Sequence, residues 1–176
     1  NQAPSISQVS DSPDPVKANA QITFTAQWND ADGDSVAFFV CKNNQSPTGG
    51  DCSGGAANRW CRNVTAVSSG TNAACSYTTQ ALDQGTSPNA YHAFVCDLNG
   101  CSVAKQGDGF LVDATPPVIR TFERDAGDVP PNWINNTTNT GATVSWSVLD
   151  SGGSNLKQIE IWRAKDANGD GVLQST

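Results

Sequence analysis

From Gln21 to Asn29 the apolar residues Ile22, Phe24, Ala26 and Trp28 alternate strictly with Thr23, Thr25 and Gln27. A period of two puts every second side chain on the same side of an extended chain, so this stretch predicts a strand with one face in a core and the other in water. Asp30-Ala31-Asp32-Gly33-Asp34 then turns the chain. Ser35 to Cys41 is mostly apolar at both parities, as a central strand covered on both sides requires. Ser5 to Ser10 predicts a first strand, ended by Asp11-Ser12-Pro13-Asp14-Pro15, whose prolines deny ladder donors and place a kink near a sheet edge. Residues 43–74 are dominated by Gly, Ser, Asn and Thr and read as a loop-rich excursion, unusual in length unless something ties it down. Cys75 to Thr79 and Phe110 to Val112 are the next strand candidates.

Tyr91 to Cys101 reads as a strand, a tight turn and a return strand with a cysteine at each lip. Tyr91, Ala93 and Val95 share one face, and Asn99-Gly100 supplies residues that tolerate positive φ where the chain reverses. Beyond Asp113, the run Ala114-Thr115-Pro116-Pro117 reads as a short stiff linker. Val118 to Glu123, Ala142 to Val148 and Leu156 to Arg163 are strand candidates of a second unit, with Trp146 facing inward like Trp28 in a weak internal repeat.

Composition supports this all-β pattern. The chain has 176 residues, only 15% of them charged, and no Met, which suits short strands and polar turns better than long helices. A net charge of −7 argues against nucleic acid or an anionic membrane surface as partner, since both call for clustered Lys and Arg. No apolar run of about 18 residues and no signal peptide occurs, so the chain reads as a mature secreted product without a membrane span. All six cysteines fall between positions 41 and 101, an even number in one part of the chain, as in disulfide-bonded domains made in an oxidising compartment. Six cysteines admit 15 pairings. Loop lengths favour the local set of Cys41 with Cys52, Cys61 with Cys75 and Cys96 with Cys101. Zinc is disfavoured, because there is no Cys-x-x-Cys spacing and His92 is the only histidine.

The Tyr91 strand, following Leu82, Gly85 and Thr86, resembles the tyrosine corner and last hairpin of immunoglobulin-like and fibronectin type III-like sandwiches. Residues 142–163 resemble the second and third strands of fibronectin type III domains. The cysteine-rich middle, from Phe39-Val40-Cys41 through Trp60-Cys61 to Cys75-Ser76-Tyr77, is similar to repeated domains of secreted prokaryotic cell-surface proteins. The resemblance implies two tandem immunoglobulin-like β-sandwich domains, a disulfide-rich one over residues 1–113 and a partial fibronectin type III-like one over residues 114–176. The second is incomplete, since such a domain takes roughly 100 residues and seven strands.

Two constellations point to Ca²⁺. Asp30, Asp32 and Asp34 set side-chain oxygens at alternate positions around Gly33, an arrangement that suits a hard cation, and Asp97 on the hairpin turn is placed to complete the shell. The competing reading is a solvated Asp-rich turn, since Asp and Asn favour turns for local reasons. Asp166, Asn168 and Asp170 with Gly171 match the first half of an EF-hand loop, but position twelve falls beyond Thr176. Nothing predicts an enzyme: one mid-strand His and oxidised cysteines leave no Ser-His-Asp or Cys-His set. Trp60, Trp133 and Trp162 are the candidates for an exposed sugar-stacking face, and Asn44, Asn63, Asn135 and Asn136 begin Asn-x-Ser/Thr patterns.

The expectation is a structural subunit of an extracellular or cell-surface assembly, a filament or tube built by strand addition between copies. The donor is Asn1 to Ser10, with apolar Ile6 and Val9, or else residues 171–176. The alternative is an adhesion module, a fragment of a larger surface protein or enzyme, that binds a surface glycan or a protein ligand.

Overall fold

The structure is a computed structural model that describes residues 2–124, 144–151, 156 and 158–161. The described elements are β1 (Ser5–Ser12), β2 (Val16–Lys17), β3 (Gln21–Asn29), β4 (Val36–Cys41), β5 (Arg59–Val67), β6 (Ala73–Thr78), β7 (His92–Cys96), β8 (Lys105–Gln106), β9 (Val112–Asp113), β10 (Val118–Arg124) and β11 (Val144–Leu149), with short 3₁₀ turns at Gly55–Asn58 and Ala81–Asp83. The fold is all-β.

One sheet runs β1-β3-β6 and a second runs β5-β4-β7-β8. Their inner faces share one core, the arrangement of a β-sandwich. Ile22, Phe24, Ala26 and Trp28 of β3 meet Val36, Phe38 and Val40 of β4 and Ala93 and Val95 of β7. Strict alternation on β3 therefore does what it predicts. On β4 the other parity is also covered: Phe39 and Cys41 form a second cluster with Cys52 and Phe94 on the outer side of the sheet. The long excursion folds back over that side and is tied there by the Cys41–Cys52 bond.

The excursion is less irregular than its composition suggests. It contains β5, an edge strand paired with β4 from Val36↔Val67 to Cys41↔Arg59 with two register shifts. Apolar alternation is weak there because the strand buries little beyond Trp60 and Cys61. A second bond, Cys61–Cys75, joins β5 to β6 and so ties one sheet to the other at their shared margin.

The hairpin turn also differs from the expectation. Gly100 is absent from the positive-φ positions, which among described non-glycine residues include only Asn19. The reversal is instead held by a backbone bond from Asp97 N–H to Gly100 O at 3.0 Å and by the third disulfide, Cys96–Cys101. The return strand is reduced to the two residues of β8. Val112 and Asp113 leave the second sheet's plane and pair parallel with Val16 and Lys17.

Tyr91 is buried against Phe24, with ring centroids 4.9 Å apart in an edge-to-face arrangement. Its hydroxyl donates not to nearby backbone but to Asp11 Oδ1 at the end of β1, at 2.7 Å. That bond pins β1 across the side of the sandwich opposite the Cys61–Cys75 bond.

β10 and β11 form an antiparallel pair that places Phe122 opposite Trp146. Here Trp146 is 44% exposed and Phe122 61% exposed, so the sequence repeat of the Trp28 pattern does not carry its burial with it. Residues 156 and 158–161, expected as a strand, belong to none, and among the described residues they have no ladder partner. Finally, the expected donor strand is in use: β1 is paired with β3 of its own chain from Ser5↔Asn29 to Ser12↔Thr23.

Candidate functional site

The sequence places its sharpest chemistry in two turns at one end of the sandwich. Asp30 closes β3 and is only 5% exposed. Its Oδ1 accepts from the backbone amides of Asp32 at 2.9 Å and Asp34 at 3.0 Å. This is the local capping that makes Asp frequent in turns. Asp32 Oδ2 accepts from the Gln2 amide at 2.7 Å, which fastens the start of the chain to the same loop.

Asp97 plays the matching part in the turn after β7, its Oδ1 accepting from the amides of Asn99 and Gly100, each at 2.7 Å. Burial alone raises the Asp97 carboxyl, but the amides of Asn99 and Gly100, together with the Asn99 side chain and its own backbone, outweigh it and hold the group below the ordinary carboxylate range. Asp34 and Asp97 line one open groove of about 910 Å³, together with Ala37, Phe39, Val64 and Leu98. Leu98 stands fully exposed at its rim.

For a Ca²⁺ ion these residues are an incomplete fit. Among the described residues no group of three or more His, Cys, Asp or Glu side chains converges so as to hold a metal. In favour of a cation, Asp30 Oδ2 and Asp97 Oδ2 are buried and have no hydrogen-bond partner. Asp166, Asn168 and Asp170 lie outside the described residues, as do Trp133, Trp162, Asn135 and Asn136.

The remaining candidates turn out to be structural. Trp60 is 8% exposed, its indole N–H donating to Ala90 O at 3.1 Å while Lys42 Nζ sits 4.2 Å above the ring. It offers no face to a sugar. Asn63 Nδ2 donates to Ala74 O at 3.2 Å and its Oδ1 accepts from the Thr65 amide, so the side chain bridges the two sheets beside Cys61–Cys75. His92 lies within β7 opposite Cys41.

One interaction was not legible in sequence. Asp51 forms an ion pair with Arg59, and Arg62 Nη1 lies 3.4 Å from the same Oδ2. The Arg59 guanidinium holds the Asp51 carboxyl below its ordinary range. The pair fastens the disulfide-closed excursion to β5, and no spacing rule connects residues 51 and 59 before the strand pairing is known.

Comparison of the chain with protein-family models, with curated proteins and with solved structures gives no match.

Proposed function

We propose that this protein is a structural subunit of an extracellular surface assembly, in which the apolar face of β10 and β11 is covered by a strand from another copy. The observation that carries the reading is the exposure of Ile119, Phe122 and Trp146 on one face of that strand pair, with Val118 and Leu149 exposed on the other. Apolar side chains grouped on a small sheet mark an interaction surface, and an open edge accepts an added strand through main-chain bonds. A donor from β1 has to leave β3 first, which makes the process a strand exchange. The strand orders support an immunoglobulin-like reading of the first unit: β1-β3-β6 and β4-β7-β8 follow the A-B-E and C-F-G orders of such domains, with β5 beside the C strand. Three disulfides support an oxidising, extracellular setting.

Sedimentation velocity and electron microscopy of the purified chain test this. The native chain is expected to form concentration-dependent polymers. Phe122→Asp and Trp146→Asp are each expected to weaken association roughly 10- to 150-fold, from the about 1.5–3 kcal/mol that burying a large apolar side chain contributes. A native chain that stays monomeric, or variants that assemble as the native chain does, overturns the reading.

Ca²⁺ belongs to this proposal through the two unpartnered oxygens of Asp30 and Asp97 and through the Asp166 loop. Restoring Ca²⁺ after EDTA is expected to raise the melting temperature; unchanged melting removes calcium from the reading.

The groove beside Leu98 favours a second reading, an adhesion module that holds a glycan or protein ligand there. In that case Leu98→Ser abolishes binding to an immobilised ligand panel without altering the far-UV spectrum.

A further inference from the structure

Four of the six cysteines are buried, none of them more than 8% exposed. Cys96 and Cys101 alone are half-buried, and both line the open groove of about 910 Å³ beside Leu98. A thiol in solution therefore reaches this bond without the sandwich opening, whereas Cys41–Cys52 and Cys61–Cys75 are sealed by packing. Exchange depends on such access, because the attacking thiolate has to meet one sulfur directly.

We propose that Cys96–Cys101 is a thiol-exchange site, at which a small cationic thiol forms a mixed disulfide with the folded chain. The site stands whether or not the groove also holds a glycan or a protein. Cys96 packs on the outer cluster of Phe39, Cys41, Cys52 and Phe94, while Cys101 belongs to neither core cluster, so Cys101 Sγ is the sulfur attacked and Cys96 Sγ the one that leaves. The incoming thiolate bonds to Cys101 Sγ as the bond to Cys96 breaks, and the electron pair departs on Cys96 Sγ, which takes a proton from water. A second thiolate attacks the small molecule's sulfur in the adduct. Cys101 then leaves as a thiolate and is protonated, and the two small thiols depart oxidised as their own disulfide.

The groove supplies the selectivity. Asp34 and Asp97 line it, and no Lys or Arg does. Asp97 is held below the ordinary carboxylate range and is therefore charged at neutral pH. Arg62, which donates to Gly50 O at 2.6 Å on the groove wall, is shared with Asp51 Oδ2 at 3.4 Å. The chain as a whole carries a net charge of −7. Such a field draws cations towards the bond and turns anions away.

Opening the bond leaves the turn closed. Asp97 N–H donates to Gly100 O at 3.0 Å and Ser102 N–H to Val95 O at 2.9 Å, while the buried Ser102 hydroxyl accepts from the Val95 amide at 3.2 Å. Cys101 Sγ lies 3.9 Å from Pro47 O, so the released thiol has an acceptor at hand.

Treating the native chain with cysteamine or with mercaptoacetate, quenching with iodoacetamide and mapping the peptides without reduction tests this. Cys96–Cys101 is expected to open first, with the cysteamine adduct on Cys101, the alkyl label on Cys96 and native near-ultraviolet dichroism throughout. Cysteamine is expected to react about tenfold faster per thiolate than mercaptoacetate, and the ratio to fall towards one in about 1 M salt. Asp97→Asn, which keeps an oxygen for the two turn amides and drops the charge, is expected to lower the ratio as well. A chain with both Cys96→Ser and Cys101→Ser is expected to lose the fast reaction. Another bond opening first, an adduct on Cys96, loss of native dichroism as the bond opens, or equal rates for the two thiols at low salt overturns the proposal.

Discussion

Reduction of the three disulfides is expected to unfold the sandwich at 25 °C. The bonds close loops with sequence separations of 11, 14 and 5 residues. In the loop-entropy account such closures contribute about 3, 3 and 2 kcal/mol, about 8 kcal/mol together. Domains of this size are stable by about 5–15 kcal/mol in all, so the loss consumes most or all of the margin. The bonds are not equivalent. Cys61–Cys75 holds one sheet to the other, and replacing that pair with alanine is expected to cost the most; Cys96–Cys101 only closes a turn already held by Asp97, and its loss is expected to cost the least. Denaturant titrations with and without reductant, and of each double-alanine variant, measure the series. A reduced chain with native near-ultraviolet dichroism contradicts the account, and so does a Cys96–Cys101 variant weaker than the Cys61–Cys75 one.

Among the described glycines, Gly107→Ala is expected to be the most damaging. An alanine Cβ there would sit 2.0 Å from Tyr91 Cζ and 2.4 Å from Cε2. Tyr91 has nowhere to retreat, because Phe24 packs on it at 4.9 Å and its hydroxyl is held by Asp11. Either the 107–109 segment moves away, or the ring does and the hydrogen bond to Asp11 breaks with it. Overpacking alone costs about 1–3 kcal/mol, and loss of the bond to Asp11 adds about 1.5–3 kcal/mol if the ring is the part that yields, so a loss of about 1–6 kcal/mol is expected, at the upper end if the ring moves. Thermal unfolding measures it. The second variant Gly107→Ala/Tyr91→Phe separates the causes: if the clash with the hydroxyl dominates, removing that oxygen returns part of the loss. A Gly107→Ala chain as stable as the native one would show that this close approach is not needed.

What the sequence made legible follows from which faces are buried. β3 is amphipathic over nine residues, so its bounds and its four inward side chains could be read directly. β4 was legible for the opposite reason, being apolar on both faces. β5 was hidden because an edge strand with a polar outer face carries little period-two signal, and its neighbours are rich in glycine and serine. The Asn99-Gly100 turn was misread because that dipeptide favours a two-residue hairpin on local grounds, whereas the Asp97 carboxylate and the Cys96–Cys101 bond impose a different closure. For the candidate site, the sequence places Asp30, Asp34 and Asp97 at the same end of the sandwich but does not show that the first and last of these spend an oxygen on neighbouring amides. The pairing of Asp11 with Tyr91 spans 80 residues and has no local signature at all.

The parallel pairing of β2 with β9 has a mechanical consequence. Val16 N–H donates to Leu111 O at 2.9 Å and Ala18 N–H donates to Asp113 O at 2.8 Å. A tension applied along the chain enters β2 from its N-terminal side and leaves β9 from its C-terminal side, and in parallel strands those are opposite ends. The bonds then bear the load side by side in shear instead of parting one after another as a zipper does. Behind this clamp, the segments 41–52, 61–75 and 96–101 are cross-linked and cannot lengthen. Under load, only the chain outside those loops extends, at about 3.3–3.6 Å per residue. The sandwich thus resists abruptly and then yields by a shortened step.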